Sequence, residues 1–420
     1  MVFLAKMSSF RVGPFAQTAC VLLGVSLATG CMQNVDPNAA RAAFSSKSRS
    51  LPQNASVSNA SVANASSASS SASSSASSSA SSAASDELST PPAGLLDAGQ
   101  PPVLHEPVFS ASELPRREAV ATEAERSGAA SILRAASRSN WAALRANAIE
   151  ASKSSKPLLA EIAPRGLVDE NRGVRFVACM AIGESRDRDL GLLVQPLVQD
   201  ESASVRAAAM LALSRCGHTV DLTPIAAMLT DNEPEVRANA YLVLGELGNR
   251  SAVPLIRDSL GRGMKLVNPI RARLVDLTAA EALVKLGDDR EIEPLRAALF
   301  APPEQAELTL VACDAIGRLR DEVSRPMLER LLSVSGDARR SPEIRIAAAR
   351  ALMRIGDATP AALAVAREYL ETPDGRVRSQ AAALLGQVRT PESFDLLSRL
   401  LRDADPTVQV AAAAGIERGE

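Results

Sequence analysis

Aromatic side chains are nearly missing from this chain: one Trp, two Tyr and eight Phe in 420 residues. A core without large rings has to be assembled from close-packed aliphatic side chains. Histidine is scarcer still, with only His105 and His218. That excludes a Ser-His-Asp triad and any metal centre that needs several imidazoles. Five cysteines are too few for the disulfide framework of a small secreted domain. The formal net charge of −2 excludes the basic footprint of a nucleic-acid binder. No Gly-rich phosphate loop occurs. Enzyme signatures are therefore lacking, and the chain reads as non-catalytic.

What is present is a repeat. The segment Glu235–Ile256 reads as helix, tight turn, helix, and it recurs with changes through the second half of the chain. Anchors fall at Leu144, Val174, Val205, Val236, Val275, Leu308, Ile344, Val377 and Val408, with a dominant interval of about 31 residues. Four residues after every anchor stands alanine: Ala148, Ala178, Ala209, Ala240, Ala279, Ala312, Ala348, Ala381 and Ala412. Positions i and i+4 share a helix face, and a small residue there lets a neighbouring helix come close. Gly217, Gly248, Gly287 and Gly356 stand twelve places after their anchors and predict left-handed C-caps. Pro254, Pro294 and Pro326 then open second helices. The expectation is an all-α, right-handed α-solenoid of about nine helix hairpins over 139–420, each hairpin burying its apolar side on the next. A helix over 112–138, capped by Ser112, covers the first hairpin. The ninth ends after one helix, which leaves Gln409, Glu417 and Arg418 on a solvent-facing end.

Two polar positions recur with the repeat. Arginine follows the anchor at Arg145, Arg175, Arg206, Arg237, Arg345 and Arg378; aspartate precedes it at Asp169, Asp200, Asp231 and Asp403. Aspartate can cap the coming helix, and arginine can bridge adjacent repeats. Asp276, Thr309 and Gln409 replace the arginine, so those junctions are expected to lack the bridge. Together with the Ala and Gly positions, this pattern resembles HEAT repeats, in the short bacterial form named after phycobilin lyases. The resemblance implies a binding scaffold whose second helices line a concave groove. Its alternative implication is a lyase-like enzyme or enzyme subunit.

The front of the chain has a different composition. Lys6 and Arg11 precede an apolar stretch, Ala16–Gly30, which closes as Leu27-Ala28-Thr29-Gly30-Cys31. A short apolar run ending in small residues is an export signal and not a spanning helix. Met7 would serve equally as its start. The arrangement resembles a bacterial lipoprotein signal, with Ala28 where that family carries leucine. The resemblance implies lipidation at Cys31, and Met32 after it points to the outer membrane. Cleavage elsewhere with secretion, and an uncleaved anchor, are the other outcomes. Residues 32–111 are rich in Ser, Ala and Pro and carry few large apolar side chains. They read as a disordered tether, because such a segment cannot offset its ordering entropy by burial.

Three cysteines remain in the repeat region. Cys179 and Cys313 share one repeat position four repeats apart, too far for a disulfide, and Cys216 lies at the other end of its helix. Three reduced, buried thiols and no metal are expected, and no cofactor. His218 follows a capping glycine and is expected in an exposed turn.

The candidate partner contacts are of two kinds. Arg257, Arg330 and Arg399, with Gln195 in register and Arg296 one place out of step, could form a polar stripe in the groove. The longest interval, Val236 to Val275, carries extra residues over Gly261–Leu274, where Asn268 and Pro269 predict an early helix start. Met264, Lys265, Leu266 and Val267 would form an apolar tip among Arg262, Arg271 and Arg273. This tip either folds onto the fourth repeat or meets an acidic partner or a lipid headgroup. The expected protein is a monomeric scaffold held at the membrane by a lipid anchor, with a protein partner and no nucleic acid.

Overall fold

The computed structural model describes residues 120–262, 268–333 and 340–418. The export segment with Cys31, the stretch 32–111, and the loop residues Met264, Lys265 and Leu266 lie outside them. A leading helix, α1 (Glu123–Ala136), precedes the repeats. The first helices of successive repeats are α2 (Ala142–Ser152), α4 (Arg172–Ser185), α6 (Ala203–Arg215), α8 (Pro234–Leu247), α10 (Pro269–Lys285), α12 (Ala306–Leu319), α14 (Pro342–Ile355), α16 (Gly375–Val388) and α18 (Pro406–Glu417). The second helices are α3 (Lys156–Leu167), α5 (Arg188–Leu193), α7 (Pro224–Met228), α9 (Val253–Ser259), α11 (Glu293–Ala298), α13 (Arg325–Leu331), α15 (Thr359–Tyr369) and α17 (Pro391–Leu400). Among the described residues there is no strand, and the architecture is the expected all-α solenoid.

The repeat positions explain the packing. All nine anchors are buried, and the alanine four places on has no accessible surface in any repeat. Proline opens α8, α10, α14 and α18, where its missing N–H costs nothing. Asn268 caps α10, accepting from Ile270 N at 2.9 Å. The leading helix starts at Glu123, and residues 120–122 are not helical. Its cap is Thr122, not Ser112, in a reciprocal pair: Thr122 N donates to Glu125 Oε2 at 2.8 Å and Glu125 N to Thr122 Oγ1 at 3.3 Å.

The solenoid closes on itself. Each first helix packs on the next, from α2 round to α18, and α18 packs on both α1 and α2. The buried core of the first repeats is continuous with that of the last ones. The far face of α18, expected at a solvent-facing end, is therefore a packed seam. Successive second helices scarcely touch, whereas successive first helices pack closely. On a closed ring the closer spacing belongs to the inside. First helices are buried on nearly every face, while exposed Leu192, Leu193, Leu255, Phe300 and Val323 lie on or beside second helices. The second helices thus form the outer layer, not the lining of a concave inner groove. An arm across the inside shows the tight curvature: Arg172 of the second repeat reaches Glu235 of the fourth at 3.1 Å.

Two details depart from the sequence pattern. Gly217, Gly248 and Gly287 take positive φ, but Gly356 is extended at φ 179°. In three repeats without the glycine, Arg186, Arg320 and Arg389 adopt the left-handed conformation at that position. Beyond this, every second seam is closer than its neighbours. A Cβ at Gly183, Gly245, Gly317 or Gly386 would come within 3.0, 3.0, 2.9 or 2.6 Å of the Cα of Ala212, Ala282, Ala351 or Gly415. These glycines all stand nine places after their anchors, where the alternate first helices carry Ser214, Val284 and Met353. The structural unit is hence a pair of hairpins joined backbone to backbone.

Candidate functional site

The first-helix layer has two charged ends, built from different residues. At the N-terminal end stands the arginine–aspartate ladder. Arg145 grips Asp169 through Nε and Nη2 at 2.6 and 2.7 Å. Arg175 grips Asp200 at 2.8 and 3.0 Å, and Arg378 grips Asp403 at 3.1 and 2.9 Å. Each of the three also donates Nη1 to a carbonyl six residues before it, as Arg206 does to Asp200 O at 2.7 Å. Fixing the guanidinium at both ends is what a planar five-donor fork allows.

The ladder is not uniform. Arg206 makes no bridge to Asp231. Arg237 is buried and donates to the Asp231 and Arg262 carbonyls. Arg345 turns to its own second hairpin helix, pairing with Glu368 and Tyr369 and lying 5.4 Å from the Tyr369 ring centroid. Gln409 takes the carbonyl bond of the missing arginine, donating to Asp403 O at 2.6 Å. The aspartates cap the turn before the helix and not the helix itself: Asp169, Asp200, Asp231 and Asp403 each accept the N–H two residues on, at 2.8–2.9 Å. The caps proper include Asn171 and Asp405.

At the C-terminal end of the same layer runs an ion-pair chain that the repeat pattern did not reveal. Lys153 joins Glu150 and Glu184 at 2.5 and 2.8 Å. Arg215 pairs with Glu246, which also accepts Lys285 at 2.6 Å. Lys285 reaches Glu281 at 2.9 Å, and Arg318 grips Glu281 with two bonds of 2.7 Å. Arg318 also pairs with Asp314, which takes Arg354 at 2.6 Å. Burial works against the charge on Glu281, but Arg318 and Lys285 outweigh it and hold the carboxyl at about 2. Burial, and then the like charge of Arg318, pulls Arg354 down to about 10. Apart from Lys153, at nine, these residues stand six or ten places after their anchors, so a signal did exist: a charged inner position at helical spacing.

The outer stripe divides. Arg296 is committed to Asp321 through bonds of 2.8 and 2.6 Å and to Glu293 at 2.6 Å. Exposed Arg257 pairs with Asp288. Arg330 and Arg399 are exposed on α13 and α17, and Gln195 is exposed in the turn after α5. All of them face outward, because the second helices form the outer layer. At the long interval, Arg262 pairs with Asp258 at 3.4 Å and Arg273 donates to Gln305 at 2.7 Å.

Cys179, Cys216 and Cys313 are free and buried. Burial pushes Cys313 up to about 12 and Cys179 higher still, so neither is a nucleophile at neutral pH. His218 is half-buried, not exposed, and its Nε2 lies 2.8 Å from Arg188 O. Among the described residues no cluster of His, Cys, Asp and Glu could hold a metal ion.

Comparison with known proteins gives the fold. No curated protein matches the chain. Among solved structures, the complex of CpcE and CpcF of phycocyanin lyase from Nostoc sp. PCC7120 aligns at 18% identity and a TM-score of 0.28, covering 60% of this chain and 92% of that one. Kap121p bound to Nup53p aligns at 13% identity and a TM-score of 0.30, covering 69% of this chain; the alignment spans 41% of Kap121p's length. Neither likeness bears on what this chain binds. Four overlapping segments, 155–232, 222–308, 301–381 and 337–417, match the profile of HEAT repeats and together run through more than half of the sequence. The chain belongs to the HEAT-repeat family.

Proposed function

We propose that this protein is a non-catalytic, protein-binding scaffold held at the bacterial outer membrane by a lipid on Cys31. The observation that carries the non-catalytic half is the fate of the charged groups. The inner-layer carboxylates described above are each engaged by arginine or lysine, and the thiols are buried in apolar surroundings. A catalytic acid or base has to be left free to exchange a proton, and these are tied into pairs. HEAT arrays commonly serve as scaffolds, and their repeated outer surface suits a protein partner. The exposed apolar side chains of the outer layer, Leu192, Leu193, Leu255 and Phe300, support contact there.

The address rests on the sequence, where Lys6, Arg11 and the stretch to Cys31 carry it. Among the described residues no helix is long and apolar enough to cross a membrane. The test has two arms. Cys31→Ser should move the protein out of the membrane fraction, and the wild type should retain a specific partner after crosslinking in intact envelopes. Equal membrane recovery of the serine form would remove the lipid anchor. Turnover of a substrate by the purified protein would remove the non-catalytic assignment.

A further inference from the structure

Among the described residues the chain supplies nine first helices but eight second helices, and α18 has none following it. The ninth seat in the outer layer is taken by α1. Each of α3, α15 and α17 packs on the first helix before it and on the first helix after it, and α1 packs in the same way on α18 and on α2. It meets second helices on both sides: Arg134 holds Glu161 of α3 through Nε at 2.8 and 3.0 Å, and Ser398 of α17 donates to Glu125. Its spacing is also that of a second helix. α1 ends at Ala136, eight places before the anchor Leu144, just as α15 and α17 end at Tyr369 and Leu400, eight before Val377 and Val408.

This seat differs from the other eight in two ways. In each of them a short turn ties the second helix to its own first helix, whereas α1 and α18 come from distant parts of the chain and are held together by packing alone. The grip is also lighter. Within α1 only Ala129 and Leu133 are buried, whereas α15 buries Ala362, Val365, Ala366 and Tyr369, and α3 and α17 bury more. An element with few buried apolar contacts is drawn from the low-stability end of a fold and opens before the rest. The Glu417 carboxyl of α18 is pushed up by burial, against the pull of Arg126 and Arg134 on α1.

We propose that α1 is the second helix of the ninth hairpin, supplied from the other end of the chain, and that it is an exchangeable latch on the closed ring. It swings on the link 137–141 that joins it to α2, and when it leaves, the outer face of α18 is uncovered between α17 and α3. The vacated seat fits an amphipathic helix with a small residue and a leucine four places on, as Ala129 and Leu133 are in α1. The intact link keeps α1 at a high effective concentration beside its seat, so exchange in trans becomes measurable once the link is cut. The inference rests on the packing and not on the scaffold or anchor assignments.

The test inserts a protease site beside Asn140, in that link, and cuts the full-length chain in detergent after folding. The N-terminal fragment should stay with the ring through gel filtration. An excess of a peptide of residues 120–138 should then expel it, and the same peptide with Leu133→Asp should not. A second arm leaves the chain uncut. Leu133→Asp in the full chain should speed amide exchange in α18 by about tenfold or more and leave α8 as it was, and free wild-type peptide should restore the protection. The cut chain keeps its own Leu133, so it decides even where the variant does not fold. A fragment that separates on cutting overturns the proposal, because packing would not hold the seat. So does a fragment that no excess of peptide displaces, and so does unchanged exchange of α18 in a folded Leu133→Asp chain.

Discussion

The two ends of the first-helix layer solve one problem in different ways. Both must place charge where helices converge. At the N-terminal end Arg145, Arg175 and Arg378 each answer to one aspartate of the next repeat and to a nearby carbonyl, so each of these junctions stands alone. At the C-terminal end Glu281, Glu246 and Asp314 are each shared between cations of different helices, so several junctions stand or fall together. Independent bridges tolerate loss at one repeat, as between Arg206 and Asp231. A shared network does not, because removing one member leaves several buried charges uncompensated.

The strongest way to break the comparison is Glu281→Gln. It should cost about 3–5 kcal/mol, the usual penalty for stranding a buried charge partner, read by denaturant unfolding. A loss no greater than that of an N-terminal bridge would erase the distinction. The same residue sets an acid limit. Its folded value of about 2 lies below its ordinary 4.5, so its contribution is complete above pH 4.5 and is lost as pH falls toward 2. Glu281→Gln should flatten the fall in stability across that window, measured by thermal melts at stepped pH.

Next in size is Gly386→Ala, which drives a Cβ to 2.6 Å from the Gly415 backbone. Overpacking of this kind costs about 1–3 kcal/mol. Gly128→Ala in α1 meets nothing within 4 Å and should instead stabilise by up to about 1 kcal/mol, the helix-propensity difference. Parallel melts of the two variants decide whether alternate seams are truly backbone-tight.

The smaller effects sharpen the N-terminal end. Asp403→Asn should cost about 1 kcal/mol, the scale of a partly screened pair, and more than Asp231→Asn, which breaks no bridge. Equal losses would assign the aspartate to its turn alone. Smallest is Arg186→Gly, which relieves a left-handed arginine and should stabilise by about 1 kcal/mol or less. A destabilised Arg186→Gly would mean that the side chain, not the backbone, matters there.

The ladder was legible because it is strictly periodic: Arg145, Arg175 and Arg378 stand beside their anchors, and periodicity survives in a linear string. The inner network was not, because Glu281 and Arg318, or Asp314 and Arg354, hold different repeat positions and signs. The positions six and ten places after the anchors recur, but which of them carries an acid or a base changes from repeat to repeat, because complementary charges need only meet in space. The alternate glycines were in the string but look like ordinary substitutions until their partners, Ala212, Ala282, Ala351 and Gly415, are seen opposite.

The sequence by itself determined the helix hairpins, their number and their apolar faces, since periodicity, proline and capping chemistry act within a few residues. Only the tertiary structure decided that the array closes, that the second helices lie outside, and that α18 packs into a seam instead of facing solvent. Each repeat adds a small rotation through its side-chain volumes, and whether nine such rotations bring α18 back to α1 and α2 depends on their sum, which no single repeat encodes.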